Sequence, residues 1–163
     1  MAKRILVPVA DVARAEAIVP VVAALARESG GTVRLLSVQP LQRTRFDECA
    51  HTLPSHGYDV GFAVDAPPRV LSYGHTDEAR LESEMLERLR GLEPLLDGVP
   101  VERVVRFGDV AEEITREAHA FDADLVAVTE RRRRWWRPLL SRIIDRVRAH
   151  VGVPVLALSG GAR

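Results

Sequence analysis

The chain has one cysteine, Cys49, among 163 residues, so no internal disulfide framework holds it together. That usage fits a reducing compartment. Aromatics are sparse at 5%, which leaves the burden of core packing to aliphatic side chains. Net charge is absent: 23 basic and 23 acidic side chains cancel, excluding the global field that drives a strongly basic chain onto nucleic acid or membrane. No window approaches the roughly 20 unbroken apolar residues of a membrane span. Lys3 and Arg4 precede only a short apolar run broken by Pro8 and Asp11, which is not a secretory signal. The expectation is a cytoplasmic protein. Neither a Gly-x-Ser-x-Gly elbow nor a Walker glycine loop occurs, and no catalytic residue is assigned.

What is present is an ordinary globular balance, 47% apolar and 28% charged, at a length that suits one domain over 1–163. Charge is uneven locally. Between Arg131 and Arg148 the chain places Arg131, Arg132, Arg133, Arg134, Arg137, Arg142, Arg146 and Arg148 against a single acid, Asp145.

Apolar runs alternate with helical periods. Arg4–Val9 reads as a buried strand, after which Asp11 is placed to cap a helix over Ala13–Ser29 that Gly30-Gly31 stop; Pro20 should kink it. Thr32–Val38 is a second strand, parallel to the first through a right-handed crossover. Gln39–His75 carries no sustained period and reads as a long insertion. Regular structure resumes at Thr76, a candidate N-cap followed by Asp77 and Glu78, and runs to Pro94. Val101–Phe107 is a third strand whose Glu102, Arg103 and Arg106 suit a sheet edge. Asp109 opens a helix with Glu112 at capping-box spacing. Ala123–Val128, Pro138–His150 and Val153–Leu158 supply a strand, a helix and a last strand. The pattern is α/β: a single-domain, open parallel sheet with helices on both faces.

Five segments then become specific in combination: RILVPVA at the start, LLSV closing strand two, RFGDVAEEI, ADLVAVT in strand four, and SRIIDRVRAHVGVPVLAL at the end. Together they resemble the universal stress protein family, over about Lys3–Val38 and Val99–Leu158. The resemblance implies a Rossmann-like five-stranded sheet in the order 3-2-1-4-5 and a homodimer joined along the last strand. Nucleotide-binding members carry glycine, two residues, glycine, nine residues, then glycine with Ser or Thr, because glycines let backbone amides close on phosphates at a helix N-terminus. Aligned on strand four, this chain places Thr129, Arg132 and Arg142 at the three glycine positions and Ile143 at the hydroxyl position. Such members also place Asp directly after the first strand; here Ala10 stands there and Asp11 comes one residue late. Val38 matches the position that packs beside adenine. The resemblance therefore points to the branch without the glycine ATP motif, with no cofactor expected.

Two readings stay open at this point. In the first, a stress-response binding or regulatory protein presents Arg133, Arg134, Trp135, Trp136 and Arg137 to a protein partner. In the second, ATP or another adenine nucleotide is bound, or weakly hydrolysed, at a cleft formed by Ala10, Asp11, Val38, Thr129, Arg131, Arg132 and Arg142, with guanidiniums replacing the glycine cradle. An anionic membrane or single-stranded nucleic acid is a weaker match to the same Arg/Trp stretch. Cys49, His51, His56 and His75 match no standard zinc spacing, so no metal is assigned. Asp109, Glu112 and Glu113 are explained by capping more simply than by acid–base chemistry.

Overall fold

The structure is a computed structural model that describes residues 2–40, 70–130 and 139–159. Its elements in chain order are β1 (Arg4–Pro8), α1 (Val12–Ser29), β2 (Thr32–Gln39), α2 (Val70–Arg90), a short 3-10 turn (Glu93–Leu96), β3 (Val101–Phe107), α3 (Val110–Ala120), β4 (Leu125–Glu130), α4 (Leu139–His150) and β5 (Val155–Ser159). All pairings are parallel, and the order is β3-β2-β1-β4-β5, as the resemblance implies.

Alternation along the inner strands builds two cores. Ile5 and Val7 of β1 and Val33 and Leu35 of β2 face α1 and α2, meeting Ile18, Val22, Leu89 and Leu92. Leu6, Leu36, Val126 and Val128 face the other way, onto Ile114 and Ala118 of α3 and Val147 of α4. Strands buried on both faces are apolar throughout, which is why β1 and β4 read as unbroken runs in the sequence.

The ends of the helices follow local chemistry. Asp11 is the N-cap of α1, its Oδ1 accepting from the Ala13 N–H at 3.1 Å. Gly30 closes the helix at φ 63°, a left-handed conformation that glycine adopts without a Cβ penalty. Gly31 is required for a different reason: a Cβ there would lie 2.1 Å from the Lys3 carbonyl oxygen. Pro20 sits exposed inside α1 without ending it.

Several boundaries differ from those read in the sequence. The insertion expected over Gln39–His75 is shorter at both ends. Gln39 belongs to β2, paired with Phe107, and α2 begins at Val70, so Thr76 is an interior helical residue and not a cap. The helix starts just after Pro67-Pro68, and prolines mark a helix start more firmly than a Thr-Asp-Glu run that a helix interior also accepts. The last strand begins at Val155, past Pro154, whose carbonyl accepts from the Val126 N–H at 3.0 Å but which has no N–H to return. Among the described residues no helix is long and apolar enough to cross a membrane.

Candidate functional site

The sheet opens where its order reverses, between β1 and β4. β1 pairs with β2 from Arg4 through Pro8, but with β4 only at Ile5 and Leu6. Beyond Leu6, β4 runs on to Glu130 paired only with β5, so the carboxyl ends of β1 and β4 part. A crevice at such a reversal is where open α/β sheets take ligands. On the strands beside it, Val7 and Ala127 are buried in one core and Val128 in the other.

Four of the sequence-predicted residues lie at or near the carboxyl ends of β1, β2 and β4. Ala10 and Asp11 follow β1, both exposed. Thr129 lies half-buried on β4, paired with Leu158. Val38 is the penultimate residue of β2, half-buried against the core beneath α3 and α4. Asp11 is already engaged: besides capping α1, its Oδ2 lies 3.4 Å from Arg14 Nε. The backbone holds this rim in place, with the Val9 N–H donating to the Leu36 carbonyl at 2.7 Å and the Gly108 N–H to the Gln39 carbonyl at 3.0 Å.

Arg131, Arg132, Arg133, Arg134, Trp135, Trp136 and Arg137 lie outside the described residues, as do Cys49, His51 and His56. His75 falls within α2 and Arg142 within α4, but neither side chain is described. Ile143, at the family's hydroxyl position, packs against the α3/α4 core. Among the described residues no group of three His, Cys, Asp or Glu side chains is placed to hold a metal ion.

Asp109, expected as a cap, is one. Its Oδ1 accepts from the N–H groups of Ala111 and Glu112, each at 3.1 Å. Glu112 does not reach back to complete a capping box; its carboxylate lies 3.7 Å from Arg146 of α4, which also approaches Asp109 at 3.3 Å. Backbone donation from Glu112, aided by Arg146 and the Ala111 N–H, holds the Asp109 carboxyl below its ordinary value of 3.8 against an opposing desolvation.

Sequence reasoning missed a second polar cluster on the α3 side of the sheet. Glu117, 2% exposed, takes Arg34 of β2 at 2.6 Å on Oε1 and Arg106 of β3 at 2.8 Å on Oε2. Arg34 also pairs with Glu102, and its guanidinium stacks 4.0 Å from the centre of the Phe121 ring. Glu113 is buried next to it, against Gly108 and paired with Arg116. One signal was available, since Glu113, Glu117 and Phe121 recur at i,i+4 beside Ile114 and Ala118, on the stripe that the apolar period assigns to the core.

Comparison with known proteins follows the same outline. Residues 60–159 match the family model described as the universal stress protein family. No curated protein matches the sequence. Among solved structures, universal stress protein UspA from Lactobacillus plantarum is 16% identical with a TM-score of 0.59, the match covering 96% of this chain and 97% of that one. A universal stress protein in complex with cAMP is 12% identical, TM-score 0.55, with 98% of each chain covered. The universal stress protein from Archaeoglobus fulgidus in complex with dAMP is 16% identical, TM-score 0.53, covering 95% of this chain and 96% of that one. At such identities the likeness is one of fold, and it includes β1, α1 and β2, which precede the family model's match. With more than half of its length matched by that model, the chain belongs to the universal stress protein family.

Proposed function

We propose that this chain is a stress-linked binding or regulatory protein that does not take ATP through a glycine loop, and that it acts on a partner through the Arg133–Arg137 side chains following β4. The observation that carries this reading is the occupancy of the motif positions: Thr129, Arg132 and Arg142 stand where backbone-exposing glycines are needed. Two neighbours of that motif are committed elsewhere. Ile143 packs into the core, and Asp11 caps α1 and pairs with Arg14. The homodimer implied by family likeness would use β5, whose Val155–Leu158 are half-buried apolar residues on a terminal strand.

A second reading has its own support. The crevice between β1 and β4 is open, and two proteins of the same fold are complexes with cAMP and dAMP. An adenine nucleotide held by Arg131, Arg132 and Arg142 side chains is the form it would take here.

Trp135 and Trp136 are the only tryptophans in the sequence, so intrinsic Trp fluorescence reports on those two positions alone. Titration with ATP is expected to leave that signal without a saturable change. Saturable binding in the micromolar range overturns the first reading, and its loss in Arg132→Ala assigns the nucleotide to the arginine side chains.

A further inference from the structure

Between α3 and α4 lies a cleft of about 480 Å³. Thr115, Arg116 and His119 line it from α3, Arg146 and His150 from α4, with Glu112 a turn before Arg116. Both imidazoles are fixed by backbone carbonyls: His119 Nε2 lies 3.2 Å from the Val151 oxygen, and His150 Nδ1 lies 2.7 Å from the Arg146 oxygen. A carbonyl only accepts, so each of those nitrogens carries its proton and the other ring nitrogen is bare in the neutral ring. Protonation therefore adds a donor, at His119 Nδ1 and His150 Nε2, without breaking the bond that orients either ring.

The two arginines differ in how they are held. Arg146 reaches Asp109 at 3.3 Å and Glu112 at 3.7 Å with 48% of its side chain exposed. Arg116 pairs with Glu113 one turn away and is 68% exposed. The Arg146 pairs are exposed on both sides and contribute little, so that guanidinium can turn to a better acceptor, while Arg116 keeps one donor on the buried Glu113 and offers the rest of its fork. At neutral pH the carboxylates of Asp109, Glu112 and Glu113 offset Arg116 and Arg146, and Asp145 faces Arg148 on α4 at 4.0 Å. Two imidazolium charges tip that balance to positive.

We propose that the α3/α4 cleft binds a small tetrahedral oxyanion, the phosphoryl or sulfuryl group of a soluble ligand, on Arg116 and Arg146, and binds it more tightly as His119 and His150 take up protons. The site shares no residue with the crevice between β1 and β4, and it stands whether or not that crevice takes a nucleotide. Guanidinium and imidazolium donors match the geometry of such an anion, and Asp109, Glu112 and Glu113 are the carboxylates it competes with, Glu112 being the most distant and exposed of the three.

The test is calorimetric titration of the intact protein with sodium sulfate at constant ionic strength, at about pH 5.5 and about pH 8, either side of the range where histidine changes charge. Sulfate keeps its charge across that interval, so a pH effect belongs to the protein. Saturable binding about tenfold tighter at the lower pH is expected. Arg116→Ala should weaken it about tenfold, a loss typical of one charge-assisted contact. His119→Gln should flatten the pH dependence, and Glu112→Gln should strengthen binding at the higher pH, a gain that a purely structural role for Glu112 does not produce. Absence of saturable binding at the lower pH, equal affinity at both, or indifference to Arg116→Ala overturns the proposal. So does binding to anionic vesicles without binding to free sulfate, which would assign the cleft to a lipid surface. Because the readout is heat and not Trp fluorescence, its failure is separable from that of the ATP titration.

Discussion

At the residue scale, Asp109 concentrates several constraints in one carboxylate. It accepts two backbone donors at the start of α3 and meets Arg146 of α4. Its folded-state pKa is lowered, chiefly by the Glu112 N–H. A lowered carboxyl contributes stability that is present above the unfolded value, here near 3.8, and is lost as pH falls through the folded value. Asp109→Asn keeps a capping acceptor and removes the charge. The stability difference between wild type and Asp109→Asn, measured by urea denaturation, should be constant near neutrality and shrink below about pH 4. A difference that stays flat into acid would show that the charge contributes nothing. Asp109 and Asp11 were both legible as caps because an N-cap is a local event, decided by a side chain and the N–H groups two or three residues ahead.

At the element scale, Glu117 is the residue that ties α3 to the sheet. It joins β2 and β3 through Arg34 and Arg106, so one carboxylate spans three elements. Removing one partner of a buried pair leaves uncompensated charge, and Glu117→Gln should lower unfolding stability by about 3 kcal/mol. Exposure of Arg106, whose side chain is 47% accessible, keeps the loss from being larger. Replacing the pair together, Arg34→Met with Glu117→Leu, should recover part of it. A loss under about 0.5 kcal/mol in Glu117→Gln would mean the pairs are worth no more than exposed ones. The helix stripe hinted that Glu117 is buried, but its partners could not be read from the sequence. Arg34 and Glu117 are far apart in the chain, and only the return of α3 across β2 brings them within 2.6 Å. The strands and helices around them were legible because their signals are periodic: Ile18, Val22 and Ala26 on α1, or Ala111, Ile114 and Ala118 on α3, declare one buried face each. Boundaries were less so. Val70 begins α2 ahead of the cap-like Thr76, and β5 starts past Pro154, where ladder geometry and proline chemistry outweigh residue preference.

At the scale of the whole molecule, strand order came from family resemblance, because parallel units alone allow several orders and periodicity does not choose among them. The site divides in the same way. Placing Ala10, Asp11, Val38 and Thr129 at the carboxyl end of the sheet follows from strand ends, which are legible; the early parting of β1 from β4 after Leu6 is not, since it depends on register. Assembly also belongs to this scale. Light scattering at tens of micromolar should give twice the chain mass, and Leu156→Lys on β5 should return it to the monomer value; a monomeric wild type would remove β5 as an interface.

The two rims of the sheet treat a newcomer differently. Along β3 the charged side chains are Glu102, Arg103 and Arg106, each paired with a neighbour in its own chain: Arg34, Glu93 and Glu117. A strand arriving there must pull those charges apart, whereas one arriving at β5 meets valine, leucine and alanine. A sheet with a single receptive rim is self-limiting. Were β5 to take a second copy as proposed, the joined object would show charged borders on both sides, and growth into a ribbon would have nowhere to continue.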